Sequence, residues 1–288
     1  MKSQRANAVP SASAQPIRAE AEVVENRDEG GVNRRLLLRV DCWPGSQPGQ
    51  FVMLSPGLRS AVERSDPLLP RPMAVYRSHT SDDGQESVIE VLYKATGRGT
   101  GLLAEVLPGQ HVRMVGPLGR GFPDPRQLPP SSQVVLVGGG TGIASLYDLA
   151  ARAAGSDRPA KGTVVILGAR SAEDMMGTED FARLGVTLLL TTEDGSLGER
   201  GRVTDALEAV LAEPSEVYSC GPTLMMRRCA EMSQQRGRRC WVSLENNMAC
   251  GFGVCLGCAA PRQAGGFALV CKEGPVFDAE SVDWEGLP

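Results

Sequence analysis

The rhythm of apolar and polar positions changes twice along the chain. From about residue 17 to residue 119, short alternating runs appear at 19–26, 34–40, 51–55, 73–77, 87–94 and 111–115, separated by Gly- and Pro-rich turns. Alternation with period two marks half-buried strands. Many such strands in succession predict a small closed antiparallel barrel. One short helical stretch at 101–106 interrupts them, and Gly116-Pro117-Leu118-Gly119 ends the series. Residues 122–132 are Pro-rich and read as a linker. From residue 133 the apolar runs become continuous, as in strands buried on both faces. Val134-Val135-Leu136-Val137 is the first, followed by runs at 163–167, 187–191 and 216–219. Helical patterns reach residue 154 and recur at 172–184 and 203–212, so the alternation predicts a parallel sheet of βαβ units. After about residue 241 neither rhythm persists.

Length and charge limit what this pattern can do. With 288 residues the chain holds two or three ordinary domains. The expected division is a disordered leader at 1–16, a barrel at 17–122, an α/β domain at 133–240 and a C-terminal segment at 241–288. The leader, MKSQRANAVPSASAQP, has basic residues but no apolar core, so it does not read as a signal peptide. A net charge of −4 with two histidines argues against a nucleic-acid or anionic-membrane partner. No apolar run approaches the roughly 20 residues of a membrane-spanning helix. The expected compartment is the cytoplasm.

The C-terminal segment carries the strongest chemical signal. Cys250, Cys255, Cys258 and Cys271 follow the spacing C-x4-C-x2-C-x12-C. The first three match the plant-type ferredoxin pattern, in which thiolates hold a [2Fe–2S] cluster. Gly251, Gly253 and Gly257 alternate with the cysteines, so the backbone can curl closely around a small object. A structural zinc site more often shows two separated C-x-x-C pairs. Disulfides need an oxidising compartment, and four thiols within 22 residues among glycines are not ordinary core packing. The other cysteines, Cys42, Cys220, Cys229 and Cys240, are scattered and read as thiols.

Three glycine- or arginine-marked loops offer phosphate sites. Arg71 opens Arg71-Pro72-Met73-Ala74-Val75-Tyr76, where its planar fork suits a diphosphate or simply an exposed rim. Lys94-Ala95-Thr96-Gly97-Arg98-Gly99-Thr100-Gly101 follows a strand and precedes a helix, where backbone N–H groups can meet a phosphate. Gly138-Gly139-Gly140-Thr141-Gly142 links the first parallel strand to its helix, an arrangement that suits a dinucleotide pyrophosphate and equally permits tight strand–helix packing. Cys220-Gly221-Pro222 stands at the carboxyl end of a strand, where ligands bind in open α/β sheets, though a buried structural thiol fits Cys220 as well.

In this order the pieces resemble the ferredoxin–NADP reductase superfamily. The extension Met248-Ala249-Cys250-Gly251-Phe252-Gly253-Val254-Cys255-Leu256-Gly257-Cys258, with Val270-Cys271-Lys272-Glu273-Gly274-Pro275-Val276-Phe277, narrows it. It resembles the electron transfer subunits of dihydroorotate dehydrogenase B, over about residues 19–277. The resemblance implies a six-stranded antiparallel flavin-binding barrel, a parallel-sheet NAD domain and a small [2Fe–2S] domain. Arg71, Pro72, Met73 and Ala74, with Gly99 and Thr100, would hold FAD, and Val91, Leu92 and Tyr93 would line the flavin. Gly138, Gly139, Gly140 and Gly142, with Cys220, Gly221 and Pro222, would form the NAD side. Cys250, Cys255, Cys258 and Cys271 would ligate the cluster.

The implied partner is an FMN-containing dihydroorotate dehydrogenase catalytic subunit, two of each chain in a heterotetramer. A reductase feeding an oxygenase or hydrogenase-like complex, and a zinc-stabilised module without redox chemistry, are the alternatives. The chain departs from the family at Ala74, where serine is usual, at Ser145, where proline is usual, and at Asn246 and Asn247, where charged residues are common.

Overall fold

The computed structural model describes residues 14–56, 69–81, 86–156, 162–211 and 214–287. Nearly all of the expected leader, and residue 212 of the expected helix 203–212, lie outside them. The first half forms β1 (Ile17–Asp28), β2 (Asn33–Asp41), β3 (Phe51–Ser55), β4 (Arg71–Ala74), β5 (Arg77–Thr80), β6 (Glu86–Lys94), α1 (Arg98–Ala104) and β7 (His111–Leu118). The seven strands make one antiparallel sheet in the order β4-β3-β7-β1-β2-β6-β5. Its two end strands are consecutive in sequence, joined by Val75-Tyr76. Val75 N–H donates to the Gln50 carbonyl (3.0 Å) and Tyr76 N–H to that of Glu90 (2.9 Å), so the pairing continues around the corner. Counted as one bent run, β4 and β5 reproduce the six expected strands. The expected strand 73–77 is that bend.

Side-chain alternation decides what each strand touches. On β3, Val52 and Leu54 enter the barrel core, while Phe51 and Met53 turn outward onto the second half of the molecule. On β6, Ile89, Val91 and Tyr93 point inward and Leu92 packs toward the nucleotide sheet.

The second sheet contains β8 (Gln133–Gly139), β9 (Thr163–Ala169), β10 (Thr187–Thr192), β11 (Glu199–Arg200), β12 (Ser215–Cys220) and β13 (Arg239–Ser243), all parallel. Its helices are α2 (Tyr147–Ala154), α3 (Thr178–Arg183), α4 (Val203–Val210) and α5 (Thr223–Gln235). Val134 and Leu136 bury on one face, Val135 and Val137 on the other, as the continuous apolar run requires. The C-terminal stretch adds β14 (Ala259–Pro261), β15 (Phe267–Leu269), α6 (Val270–Glu273) and β16 (Val276–Asp278). β14 and β15 form a hairpin, and β16 pairs antiparallel with β13, closing the sheet in the order β11-β10-β9-β8-β12-β13-β16.

Three expectations change. The helix after Gly139 begins as a tight 3-10 stretch at Gly140–Ser145. The expected helix 172–184 is a 3-10 turn at Ala172–Asp174 and then α3, with a turn at Gly177 against the Tyr76 hydroxyl. β13 runs across the expected boundary at 240/241. The sequence reading did not include α5, whose apolar face is only a narrow stripe of Met226, Cys229 and Met232 among charges.

The two sheets meet along a charged seam. Arg35 on β2 is nearly inaccessible, and its guanidinium bonds Glu29 (2.5 Å), Glu90 on β6 and Asp180 on α3 (2.7 Å). The Tyr76 hydroxyl donates to Asp180 (3.0 Å). Burial alone would raise the Asp180 carboxyl. The Arg35 and Tyr76 hydrogen bonds and the Arg77 charge outweigh it and hold the carboxyl below its usual range. Nearby, Lys94 pairs with Asp174 (2.6 Å), and the Asn33 amide donates to the Glu173 carbonyl (2.8 Å).

Candidate functional site

A cleft of about 290 Å3 opens between the barrel and the nucleotide sheet. Its barrel wall carries Arg71, Pro72, Met73 and Ala74 from β4, Leu92 and Tyr93 from β6, and Thr100 from the first turn of α1. Five residues from one strand and one helix turn, and two more from β6, were thus brought together as the sequence grouped them. Gly99 completes the group from beneath: a side chain there would collide with the Arg71 guanidinium at 2.6–2.9 Å. Arg71 therefore lies across the start of α1 and lines the cleft, its Nη1 donating to the Leu69 (2.9 Å) and Pro70 (3.4 Å) carbonyls. Val91 is the exception. It is fully buried in the barrel core, because adjacent residues of a strand face opposite sides.

The opposite wall carries Thr141, Ala144 and Ser145 from the glycine loop, with Ser243 at the end of β13 and Leu244, Glu245 and Asn246 beyond it. Glu245 accepts from the Thr141 hydroxyl (3.3 Å), and burial pushes its carboxyl up. The Cys220 thiol, one residue behind this wall, donates to the Ser243 carbonyl (3.5 Å). Burial first and the Glu245 charge second push that thiol up to about 12, so it stays protonated near neutrality. The glycine loop sits here because Gly142 lacks a side chain: a Cβ would lie 2.3 Å from the Cys220 backbone. Sequence reading did not select Glu245 or Asn246 for a site, and read Thr141 only as part of the glycine loop. An acidic residue two positions beyond a buried parallel strand was the available signal, since strand ends at the carboxyl side gather ligands.

A second cleft, about 420 Å3, lies at the carboxyl ends of β8, β9, β10 and β12. Gly139, Gly140 and Pro222 line it, with Arg170, Glu193, Arg202 and Arg228, none of which the sequence reading selected. Gly138 is turned into the packing against Ile143 and Leu146, and Gly221 packs on Gly139. The glycine loop thus divides the two clefts, with Cys220-Gly221-Pro222 supporting it from below. This is where the strand order reverses around β8, the switch point of an open α/β sheet. A carboxyl end carrying glycine N–H groups and three arginines fits the phosphates and ribose of a dinucleotide.

The cysteines lie on the third side of the junction. Cys258 and Cys271 are buried with their sulfurs 3.2 Å apart; Cys250 is half-buried and Cys255 exposed. Among the described residues, no three His, Cys, Asp or Glu side chains converge as a ready-made metal set. The donor chemistry nevertheless fits an iron–sulfur cluster. Burial pushes the Cys250 thiol up, but the backbone N–H groups of Cys255, Phe252 and Val254 outweigh it and bring it down to about 6. N–H groups aimed at sulfur are what such a cluster uses. Gly251 takes φ +85° and presses on Met53 of β3, where a Cβ would come within 2.5 Å. The loop is therefore seated directly on the barrel. Gly274-Pro275 locks the other end: Arg120 N–H donates to the Gly274 carbonyl and Leu244 N–H to that of Pro275.

The comparisons with known proteins fall on the same pieces. Residues 245–283 match the family described as the iron–sulfur cluster binding domain of dihydroorotate dehydrogenase B, and residues 136–231 the oxidoreductase NAD-binding domain. A dihydroorotate dehydrogenase B (NAD(+)) electron transfer subunit from Bacillus caldolyticus is 39% identical over 238 residues, 82% of this chain and 86% of that one. One from Listeria monocytogenes serovar 1/2a is 34% identical over 270 residues, 92% of this chain and 99% of that one. Among solved structures, a chain of an NADH-dependent reduced ferredoxin-NADP oxidoreductase superposes with a TM-score of 0.75 at 27% identity, covering 92% of this chain and 90% of its own. An Amycolatopsis cytochrome P450 reductase shares the fold, with a TM-score of 0.63 at 24% identity over 78% of this chain and 68% of its own.

Proposed function

Because this chain belongs to the family of dihydroorotate dehydrogenase B (NAD(+)) electron transfer subunits, we propose that it carries electrons from a separate dihydroorotate-oxidising subunit to NAD+ in pyrimidine biosynthesis. It is an oxidoreductase subunit whose cofactors are FAD, a [2Fe–2S] cluster and NAD. A cluster passes single electrons, nicotinamide takes a hydride, and a flavin handles either, so the three join one-electron to two-electron chemistry.

The residues divide this work. Arg71, Gly99 and Thr100 bind the FAD diphosphate, and Pro72, Met73, Ala74, Leu92 and Tyr93 form the wall for its ring. Val91 supports that wall from the core. Gly139, Gly140, Gly142, Gly221 and Pro222, with Gly138 and Cys220 behind them, shape the NAD side. Arg202 and Arg228 add charge for the pyrophosphate. Cys250, Cys255, Cys258 and Cys271 ligate the cluster. The domain division that best suits these roles keeps β13 with the nucleotide sheet and begins the cysteine segment after Ser243.

The observation that carries this reading is the seat of the cysteine loop on β3. Gly251 touches Met53, and Phe51 of the same strand lines the cleft. The cluster ligands and the flavin wall thus share one strand. Outward from that seat, the loop exposes Phe252, Val254 and Leu256, and the β14–β15 hairpin exposes Phe267; Val254 and Phe267 are 75% and 70% accessible. Large apolar side chains so open to water beside redox ligands suit a docking face. We assign it to the FMN-containing catalytic subunit, two of each chain forming the complex. Thiolate ligands and the absence of a membrane-length apolar helix among the described residues suit a cytoplasmic enzyme.

A mixing assay tests the proposal. Alone, the purified chain should oxidise NADH with artificial acceptors and leave dihydroorotate untouched. With the catalytic subunit added and dihydroorotate as the only donor, NADH should appear. Dihydroorotate turnover by this chain alone, or a reconstituted pair that forms no NADH, would overturn it.

A further inference from the structure

Resting on the reading of the barrel–sheet cleft as the FAD site, we propose that the Ser145 hydroxyl supplies the side-chain hydrogen bond to the polar edge of the flavin ring, from the nucleotide-sheet wall. The middle of the barrel wall has nothing to offer in that role. Pro72, Met73, Ala74 and Leu92 present only apolar side chains to the cleft. A flavin ring carries carbonyl and ring-nitrogen groups that lose hydrogen bonds to water when buried, and an unmatched polar group is costly. The polar side chains of the barrel wall, Arg71, Lys94, Thr96 and Thr100, gather toward α1, so the ring's side-chain partner comes from across the cleft.

Ser145 is placed to provide it. It ends the 3-10 stretch Gly140–Ser145, which packs against β6. Its neighbours Ala144 and Leu146 belong to the same apolar cluster that Ala74 packs on. Ser145 itself is buried and lines the cleft. The Thr141 and Asn246 side chains on its wall are already engaged, which leaves the Ser243 hydroxyl as the alternative. Thr141 donates to Glu245, and the Cys220 thiol donates to the Ser243 carbonyl. Ser145 hydrogen-bonds the Cys220 sulfur, a weak acceptor, so a carbonyl or ring nitrogen in the cleft would be the stronger acceptor for its proton. Ala74 and Ser145 both line the cleft. The structure places them on facing walls of one cleft.

Ser145→Ala tests this, read by FAD content, flavin absorption, flavin midpoint potential and NADH kinetics. Wild type without FAD would fail the underlying site reading and leave nothing for the variant to show. With FAD bound to the wild type, Ser145→Ala should keep one FAD per chain, shift the flavin absorption and potential, and lower kcat about three- to tenfold with little change in the KM for NADH, as loss of one hydrogen bond predicts. Ser145→Thr should restore the wild-type spectrum. Ala74→Ser in the Ser145→Ala background should recover part of it, by offering a hydroxyl from the facing wall. An unchanged spectrum and potential in Ser145→Ala would overturn the inference. So would the same shifts in Ser243→Ala but not in Ser145→Ala, since Ser243 flanks Cys220 from the sheet side. If Ser145→Ala loses FAD, the threonine variant decides: retained FAD with a normal spectrum supports the hydroxyl, and loss in both makes Ser145 a packing residue only.

Discussion

At the seam between barrel and nucleotide sheet, one buried arginine is held by three carboxylates of the protein itself. At the cysteine loop, the thiols meet only in pairs, one of them is exposed, and no three acidic, His or Cys groups converge among the described residues. The seam completes itself from its own side chains. The loop is curled and seated on Met53, with backbone N–H groups turned to a sulfur, but its ligands gain their full complement of bonds only from a bound group. The first region is fixed by folding; the second is finished by its metal. The cleft between barrel and nucleotide sheet is walled by β4, β6 and the glycine loop, with Met248 and Pro275 of the cysteine segment at its edge.

The sharpest test of this contrast removes one group from each region. Cys258→Ser should abolish iron binding and the visible absorption of a [2Fe–2S] centre, because Cys258 is buried against Cys271 and water cannot replace it. Residues 244–287 should then become the first site of limited proteolysis, while FAD is largely retained. Retention should be incomplete, because Gly251 rests on the barrel strand next to the cleft. Full iron content in Cys258→Ser would remove it from the ligand set.

Arg35→Met should do the reverse. It removes the one buried cation the three carboxylates share and leaves Glu29, Glu90 and Asp180 to the more exposed Arg27, Arg77 and Arg183. Removing one partner of a buried ionic group costs about 3–5 kcal/mol, which a urea titration followed by flavin fluorescence would report. FAD should dissociate more readily, because the cleft loses the contact that fixes its two walls, while iron content stays near wild type. If each variant loses both FAD and iron, the two regions form one cooperative unit and the contrast fails.

The sequence singled out the loops proposed for the cofactors because each is a local device. Arg71 to Ala74, Gly99-Thr100, the glycine run and the four cysteines each sit within one short stretch, and local spacing is visible in one dimension. The seam was not legible. Arg35, Glu90 and Asp180 are separated by 55 and 90 residues, and nothing in the composition around any of them marks a partner. Glu245 and Ser145 entered the cleft only through the fold, since the wall they form is assembled from the glycine loop and the far end of β13. Val91 was misplaced for a simpler reason: grouping three consecutive strand residues ignored their alternation. The broken helix at 172–184 and the late strand β13 show the same limit. A turn at Gly177 under Tyr76, and an edge supplied by β16, are tertiary causes.

The seam has one member that does not fit its own scheme, and this leads to the smallest effect. Asp148 opens α2 beside Tyr147, which stacks on Tyr76 at 4.6 Å. Burial pushes its carboxyl up to about 6, against the opposing pull of the Arg152 and Arg77 charges. A carboxyl raised in the folded state binds its proton more tightly there than in the unfolded chain. Its contribution to stability is therefore complete below about pH 4 and declines as pH rises from there through about 6. At neutral pH the ionised Asp148 is a net cost to the seam, the opposite of Asp180, whose depressed carboxyl stabilises at neutral pH and fails only in acid. Asp148→Asn should accordingly raise Tm by a few degrees at pH 7.5 and leave it nearly unchanged at pH 4.5, in paired thermal scans with FAD present. A stabilisation that is equal at both pH values would mean that shape, not charge, limits this end of the seam. A loss of stability at pH 7.5 would mean that the Arg77 and Arg152 pairings outweigh burial, and that the seam's charges are balanced throughout.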